Sequence, residues 1–408
     1  MTETPPYETF TITTHDEALQ AYRSKDLRQA LYDAGEVVMG DVLVNLHADA
    51  HRARRRLENR LFRKDTHTHY EKALFPAIID ATLAPYVVAD RAELVSLSHQ
   101  MMMNLAALTA GVDRPLGTPE ETFHLYSYLM TFIEGATLAH YTGDKEAKRA
   151  EVVDALARFD DEFLMPSTER RRLAVAALAA GEIDEADLPR DVLTILIRNQ
   201  DNLELPSDVV LRETAFFLLA GAHTSATAYV RTTHNIFSWL AIHPEDDSLI
   251  HADTRFVQRC MHETIRLQPS SPVGMRWALD DVALPSGRTF PKGSKVVIDL
   301  LAVNRDTEVW GPDASEFNPR RPVPEGLSPW GLSFGSGMHA CIGQDLAGGV
   351  LAENQPPDTT EHLYGLVPVA VQALFDRGAR PDPDEPPFID PTNVRQYWGR
   401  YPVRFGGS

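Results

Sequence analysis

One long apolar segment, residues 206–240, places the strongest constraint on how this chain can fold. It opens with Pro-Ser-Asp, a combination typical of a helix start, and it is apolar on most faces between Phe216 and Ala222. A helix that is apolar all round has to be buried. We therefore expect a central helix here, with the rest of the chain packed around it.

The periodicity of the sequence changes near Pro269. Helical periodicity runs through most of residues 15–265, for example over 16–35, whereas residues 276–303 read as short strands joined by Gly and Pro turns. The sequence predicts a mainly α protein with a minor β part. We expect one domain over residues 1–408, mainly helical over 15–265 and mixed over 266–408.

Two stretches near the C-terminus have a less regular pattern. After Cys341, a short helical run is interrupted by ENQPPDTTEHLYG, residues 353–365, and helical periodicity resumes beyond it. The tail, residues 393–405, is typical of a final strand.

The overall charge excludes some classes of partner. Lys and Arg number 39 against 58 Asp and Glu, which gives a net charge of −19. A nucleic-acid-binding protein needs a basic footprint, so we expect no nucleic-acid partner. The sequence shows no run of about 18 apolar residues and no signal peptide, and its two cysteines make no disulfide framework. We expect a cytoplasmic protein with no membrane span.

Cys341 lies in the stretch FGSGMHACIG, residues 334–343, which is rich in glycine. The thiolate is the form of cysteine that binds metal, and a loop with free backbone N–H groups favours it. Glycines also allow the backbone to approach something flat or bulky. The alternative is a buried structural cysteine, which is the commoner fate of a free thiol.

Two other motifs suggest different chemistry. Residues 331–335, GLSFG, fit the hydrolase pattern G-x-S-x-G, but the proline-rich segment before Ser333 makes a poor strand, and that motif needs one. His47 and His51 are spaced for one helix face and could hold zinc, although singly hydrogen-bonded histidines are the simpler interpretation.

The cysteine stretch resembles the haem-ligand loop of the cytochromes P450, F-x-x-G-x-[HR]-x-C-x-G. The matching residues are Phe334, Gly337, His339, Cys341 and Gly343. Glu263 and Arg266 resemble the E-x-x-R helix of the same family, and Arg321 resembles the arginine that completes its Glu–Arg–Arg network. Residues 220–225, AGAHTS, resemble the oxygen-binding motif of the central helix. These motifs follow the family's order over nearly the whole chain.

The resemblance implies a P450-like fold that binds haem b through Cys341 as the iron ligand. The other implied cofactor-binding residues are His51, Arg55, Arg276, His339, Phe334, Gly335 and Gly221. A thiolate ligand pushes electron density to the iron and favours O–O cleavage. Thr224 and His223 are the implied catalytic pair. The pocket residues expected from the same likeness are Leu218, Leu219, Ala220, Val273 and Met275.

The implied function is a haem-thiolate monooxygenase that inserts one oxygen atom of O2 into a small to medium hydrophobic substrate. Ferredoxin and ferredoxin reductase would supply its electrons. A strongly basic run, residues 51–64, is predicted to form a helix and would be the docking site. His51 and Arg55 would face the haem, and Arg54, Arg56, Arg60 and Arg63 would face outward. The alternatives are a peroxide-driven peroxygenase and a haem-binding protein without turnover.

Three features depart from the family's pattern. His223 stands where an Asp or Glu usually precedes the alcohol, and an imidazole can relay protons near neutral pH. The helix and strands expected before residue 15 are not visible, so we expect a shortened N-terminus. Gly348, Gly349 and the segment that follows interrupt the helix after Cys341.

Overall fold

The computed structural model of the chain describes residues 7–351, 361–391 and 397–406. The chain divides into two compact units. Unit 1 comprises Met1–Ala30, Glu71–Ser98 and Thr224–Ser408, and unit 2 comprises Leu31–Tyr70 and His99–His223. Each unit is therefore built from separate parts of the sequence. The single domain expected from the sequence stays a prediction.

Helices make up most of the described residues. In chain order they are α1 (His15–Arg23), α2 (Glu36–Met39), α3 (Ala48–Glu58), α4 (Lys64–Thr68), α5 (Phe75–Val88), α6 (Leu94–Ala110), α7 (Pro119–Ala136), α8 (Lys145–Phe159), α9 (Met165–Ala179), α10 (Val192–Asn199), α11 (Ser207–Leu240), α12 (Asp247–Ala252), α13 (Thr254–Leu267), α14 (Leu300–Val303), α15 (Thr307–Trp310), α16 (Gln344–Gly348) and α17 (Leu366–Phe375). The long apolar segment thus forms one continuous helix, α11, as predicted.

Strands form small sheets in unit 1. In chain order they are β1 (Thr9–Ile12), β2 (Leu27–Gln29), β3 (Arg91–Glu93), β4 (Val273–Ala278), β5 (Val282–Ala283), β6 (Thr289–Phe290), β7 (Lys295–Asp299), β8 (Arg380–Pro381), β9 (Phe388–Ile389), β10 (Trp398–Arg400) and β11 (Pro402–Arg404). The largest sheet has the order β1-β7-β4-β2, in which β1 is parallel to β7 and the other pairs are antiparallel. A mainly α fold with a minor β part is confirmed.

A hydrophobic core of unit 1 includes buried side chains of this four-stranded sheet. Buried and less buried residues alternate along β4 and β7, as expected for strands with one covered face. The core combines strand residues such as Ile12, Val296 and Ile298 with Ala18 of α1, and it extends to Leu332. The loop that follows Leu332, which carries Cys341, therefore starts from a packed base.

Unit 2 is helical and is held together by aromatic and ionic contacts. Phe132 of α7 meets Phe159 of α8 edge to face, with ring centroids 5.5 Å apart. Arg171 on α9 is buried and binds both Asp191 and Asp113, each at 2.7 Å. Paired charges of this kind satisfy a guanidinium that could not stay buried alone. Among the described residues, no helix combines the length and apolar character needed to cross a membrane.

Several local predictions were wrong. Residues 16–35 are not one helix, because α1 ends at Arg23 and Leu27–Gln29 pairs with β4 as strand β2. The expected lack of strands before residue 15 is also contradicted, because β1 pairs with β7. In both places, pairing with a strand that is distant in the sequence determines the local structure. The local sequence pattern alone does not indicate such pairing.

The basic run, residues 51–64, was also predicted as one helix, and this was wrong. Helix α3 ends at Glu58, and α4 begins only at Lys64. Arg60 and Arg63 therefore lie in the connection between two helices.

The predicted interruption after Cys341 is present. Helix α16 ends at Gly348, and α17 begins only at Leu366. Most of the interrupting segment, residues 352–360, lies outside the described residues, as do residues 392–396 of the predicted final strand. The described parts of that tail form β10 and β11.

Candidate active site

The loop around Cys341 is a tight turn that presents a thiol. The backbone N–H of Cys341 donates to the carbonyl of Phe334 at 2.8 Å, which closes the loop across its base. Gly335 and Gly337 have φ values of 68° and 69°, a region that favours glycine. The Cys341 residue itself is exposed. This geometry is suited to placing a sulfur against a flat ligand.

Gly337 fixes this loop against α1. A Cβ atom at Gly337 would lie 2.4 Å from the backbone oxygen of Tyr22. Only glycine allows the two backbones to approach so closely.

Glu263, Arg266 and Arg321 form a buried network below the loop. Arg266 donates through Nε and Nη2 to the two oxygens of Glu263, both at 2.7 Å, and Arg321 donates to the same carboxylate at 3.1 Å. The remaining Arg266 donor binds the carbonyls of Asn304 and Ala314. One carboxylate thus joins α13 to the coil that leads to the loop.

Ser333 makes two structural hydrogen bonds. Its hydroxyl donates to the carbonyl of Ile265 at 2.6 Å and accepts from Asn304 at 2.8 Å. The turn before it, residues 328–331, is not the strand that a hydrolase elbow requires. Among the described residues, no group of three or more His, Cys, Asp or Glu side chains is arranged to hold a metal ion.

Arg276 is a buried cation on the central strand β4. It is 5% exposed, and its guanidinium lies 4.8 Å from the centre of the Tyr22 ring. Burial lowers its pKa. No carboxylate among the described residues forms an ion pair with it. Val273 and Met275 lie at alternate positions of the same strand and are less buried than Gly274 and Arg276.

One face of α11 is more accessible than the rest of this buried helix. Its residues follow the spacing of a single helical stripe: Phe216, Leu219, Ala220, His223, Thr224 and Thr227. Thr224 is the most exposed of them, and its carbonyl accepts a hydrogen bond from Ser270. Leu218 is fully buried and lies off this face, unlike the other predicted pocket residues of the helix.

Helix α3 carries His51 and Arg55 one turn apart. His51 is buried, and burial together with the neighbouring Arg55 lowers its pKa to about 4. Arg55 is half-buried and donates to Asn59 at 3.0 Å. The prediction that Arg54 faces outward was wrong, because Arg54 is buried and binds Glu213 at 2.5 Å. The exposed cations are Arg52, Arg56, Arg60, Arg63 and Lys64.

The sequence analysis did not identify the buried acids that interact with Arg54. Glu213 is fully buried and also accepts from the Leu43 backbone N–H. Glu58 is 1% exposed, and burial next to Glu213 raises its pKa well above the usual range. The available signal was the position of Glu213, just before the apolar stretch that begins at Phe216, because a buried carboxylate has to find a partner.

The two units divide the predicted site residues between them. Unit 1 contains Cys341, Phe334, Gly335, His339, Thr224, Arg276, Val273, Met275, Glu263, Arg266 and Arg321. Unit 2 contains His51, Arg55, Gly221, His223, Leu218, Leu219 and Ala220. His339 lies in the short 3-10 turn Gly337–His339 of the cysteine-bearing loop.

Comparison with models of known protein families identifies the family to which the chain belongs. The model described as Cytochrome P450 matches residues 146–349, half of the chain. The chain belongs to the cytochrome P450 family. Among curated relatives, this P450 is 26% identical over 358 residues to cyclooctat-9-en-7-ol 5-monooxygenase of Streptomyces melanosporofaciens, covering 78% of this chain and 71% of the relative.

Other matches are shorter in sequence or more distant. Cytochrome P450 734A2 of Oryza sativa subsp. japonica is 29% identical over 178 residues, which cover 37% of this chain and 30% of the rice protein. The matched segments span only about a third of the first curated relatives. Two solved structures share the fold: P450BioI in complex with an acyl carrier protein (TM-score 0.71, 17% identity, 97% of this chain and 92% of that chain) and a mutant of P450 EryK (TM-score 0.66, 20% identity, 98% and 91%).

The residues of this P450 fit haem b, the prosthetic group of its family. Cys341 offers an exposed thiol on a narrow loop, and thiolate is a ligand that haem iron accepts. Arg276 is a buried cation suited to a propionate, because a buried charge needs a partner of opposite sign. Cys341 would hold the iron and Arg276 a propionate.

Proposed function

We propose that the protein is a haem-thiolate monooxygenase that inserts one oxygen atom of O2 into a small to medium hydrophobic substrate. The observation that carries the proposal is the exposed Cys341 thiol on a loop closed by the Cys341–Phe334 hydrogen bond. Haem bound through a thiolate supplies dioxygen activation and O–O bond cleavage. The chain's own residues bind the cofactor, orient the substrate and deliver protons.

Cofactor binding would use side chains from several elements. His51, Arg55, Arg276 and His339 would neutralise the propionates, since a carboxylate buried alone is strongly disfavoured. Phe334 would shield the sulfur from water, and Gly335 and Gly221 would allow close approach to the ring. Phe334 already packs on Trp330, with ring centroids 5.2 Å apart.

The substrate would bind against apolar side chains. Leu219 and Ala220 lie on the accessible face of α11, and Val273 and Met275 lie on the less buried side of β4. Apolar surfaces of this kind favour hydrophobic molecules. Leu218 is the weakest member of the predicted set, because its side chain is fully buried.

Thr224 and His223 would supply protons. They are neighbours on the less buried face of α11, where Thr224 is exposed and His223 is half-buried. The Thr224 hydroxyl would donate through Oγ1, and the His223 imidazole would replace that proton in the role usually taken by a carboxylic acid.

The role of His223 can be tested through coupling. In His223→Ala, we expect product formed per electron consumed to fall on the order of tenfold, because general acid catalysis is lost. His223→Asp should restore most of the coupling. His251→Ala, at an exposed histidine, is the control. Unchanged coupling in His223→Ala would remove the imidazole from the mechanism.

Electrons would come from a separate ferredoxin and its reductase. The exposed cations Arg52, Arg56, Arg60, Arg63 and Lys64 form a basic surface on a chain of net charge −19. An acidic ferredoxin would be drawn to that surface.

The reduced carbon-monoxide difference spectrum tests the haem-thiolate assignment. We expect a strongly red-shifted Soret band that is absent in Cys341→Ser. Hydrophobic compounds that bind the pocket should then shift the spin state of the resting protein. A haem-loaded protein whose band is the same in both variants would show that Cys341 is not the ligand.

A further inference from the structure

Helix α13 holds both ends of the segment that contains Cys341. We call residues 333–348 the cysteine segment. At its start, the Ser333 hydroxyl donates to the carbonyl of Ile265 at 2.6 Å. At its end, the carbonyl of Gly348 accepts from Gln258 Nε2 at 2.9 Å and from His262 Nε2 at 2.7 Å. One helix therefore fixes the segment on either side of the cysteine.

The second attachment exists because the helix after Cys341 is broken. In a continuous helix, the carbonyl of Gly348 would accept from a backbone N–H four residues later. Here Gly349 has φ 78° and the helix stops. A carbonyl at a buried helix end needs another donor. Gln258 and His262 provide two donors to this carbonyl.

The other side of the break is also supported. Glu71 accepts from the backbone N–H groups of Tyr364 at 3.1 Å and Gly365 at 2.8 Å, immediately before α17. Carboxylates at this position stabilise the start of a helix. The break is therefore built into the packing of unit 1, with side-chain partners on both sides.

His262 contacts Gly348 at the end of the cysteine segment and Trp330 shortly before its start. Its ring lies edge to face against Trp330, with centroids 5.0 Å apart, and Trp330 meets Phe334 in the same way at 5.2 Å. The carbonyl of Phe334 accepts from the Cys341 N–H at 2.8 Å. A short chain of contacts thus leads from His262 to the backbone of Cys341.

The hydrogen bond to Gly348 defines the protonation of His262. A carbonyl accepts only, so Nε2 carries the proton. Burial lowers the pKa of His262 to about 4, so the ring is neutral at neutral pH. A neutral ring with a fixed tautomer can be buried between Trp330 and Gly348 without leaving an uncompensated charge.

We propose that His262 is a positioning residue that keeps the Cys341 thiolate at the haem iron, by tying the end of α16 and the Trp330–Phe334 pair to α13. This inference rests on the proposed function. Without the His262 clamp, the end of the broken helix moves more freely, and the thiolate leaves the iron more often. His262 acts through its contacts with Gly348 and Trp330.

The test is the lifetime of the thiolate-type Soret band in the reduced carbon-monoxide complex of the haem-loaded protein. In His262→Leu, we expect this band to convert to the thiolate-free form about tenfold faster, as for one lost hydrogen bond to a buried carbonyl. His262→Gln keeps an N–H donor and should recover most of the lifetime. His251→Leu, at an exposed histidine, should match the parent.

Thermal unfolding of the same variants separates positioning from general stability. A His262→Leu protein that melts earlier but keeps the parent's band lifetime would overturn the proposal. Should His262→Leu not fold, Gln258→Leu removes the other donor to Gly348 and is expected to shorten the lifetime. An unchanged lifetime in Gln258→Leu would then count against the clamp. If the parent shows no thiolate-type band, the assignment of Cys341 fails, and the clamp fails with it.

Discussion

At the scale of single residues, Glu263 carries an unusual share of buried charge. Its carboxylate accepts from Arg266, from Arg321 and from the Asn318 backbone N–H. Arg266 is fully buried, and its guanidinium also lies 4.8 Å from the centre of the Trp310 ring. Removing one member of such a network leaves the other charged groups buried without a partner or water. This lowers the stability of the fold by more than the loss of one contact would.

Glu263→Gln tests this view with almost no change in shape. Because the fully buried Arg266 loses its only carboxylate partner among the described residues, we expect the free energy of unfolding to fall by about 3–5 kcal/mol. Urea unfolding of the purified protein measures it. Glu308→Gln makes the same change at an exposed position and should alter stability by less than about 0.5 kcal/mol. Equal losses in both variants would contradict the argument.

At the scale of elements, the contact between α1 and the loop of Cys341 depends on a missing side chain. Gly337 lies against the backbone oxygen of Tyr22, near the C-terminal end of α1. Tyr22 also packs on Arg276 of β4. Helix, loop and strand therefore meet where no Cβ atom can be accommodated.

Two glycine substitutions distinguish the cost of backbone strain from the cost of a steric clash. Gly337→Ala and Gly287→Ala both place alanine at positive φ, at 69° and 89°, which costs about 1–2 kcal/mol. Only Gly337→Ala adds a clash, because nothing lies within 4 Å of a Cβ at Gly287. We expect Gly337→Ala to lose roughly 1–3 kcal/mol more and to retain less haem. Thermal unfolding and the haem-to-protein absorbance ratio measure both effects, and matching values for the two variants would refute the clash.

Elements were predictable from the sequence where the signal is local. The apolar composition of residues 206–240 was sufficient for α11, and the glycines and prolines near 349–365 marked the break after α16. Strands β1 and β2 were missed because their pairing partners, β7 and β4, lie more than 200 residues away. The burial of Arg54 was missed for the same reason, since its partner Glu213 belongs to another helix.

At the scale of the whole molecule, buried imidazoles link stability to acidity. His51, His99, His262 and His362 each have a pKa lowered to about 4, with burial as the largest cause. An unfolded histidine titrates near 6.5, so the unfolded chain binds protons more readily between these values. The stability contributed by the neutral rings is complete above pH 6.5 and is lost as the pH falls towards 4. Burial raises the pKa of Glu213. The contribution of this carboxyl group to stability therefore changes with pH in the opposite direction.

His99→Phe tests the imidazole contribution. His99 stacks on Tyr126 with ring centroids 4.4 Å apart, and phenylalanine can keep that contact without titrating. The difference between 6.5 and 4 corresponds to up to about 3.5 kcal/mol at about 1.4 kcal/mol per pKa unit. We expect the variant to lose correspondingly less stability than the parent between these pH values. Urea unfolding across that range measures it, with His251→Phe as the exposed control. Parallel curves for His99→Phe and the parent would exclude His99.

The distribution of charge over the molecule makes a kinetic prediction. A basic surface on a chain of net charge −19 attracts an acidic donor locally although the whole protein repels it. Arg56→Glu combined with Arg60→Glu should slow reduction by an acidic ferredoxin about tenfold at low salt, and less as salt screens the charges. Stopped-flow reduction measures the rate.

The control for this prediction keeps the charge change and moves it elsewhere. Arg172 is exposed on α9, so Arg172→Glu combined with Lys145→Glu alters the net charge equally without touching the basic surface. Both pairs slowing reduction to the same extent would point to net charge alone.

Gly349 lies directly against the backbone of Tyr364 and Gly365, so the two sides of the break after α16 are neighbours. The Val350 N–H donates to the Leu363 carbonyl at 2.9 Å, so the chain leaves and returns at one point. Residues inserted between Val350 and Leu363 would begin and end next to each other, so they need not displace α16 or α17. Closing a longer flexible loop costs only about 0.6 kcal/mol for each doubling of its length. A fluorescent reporter or an affinity tag could therefore be inserted between Val350 and Leu363. Such an insertion would allow the protein to be immobilised through an internal site.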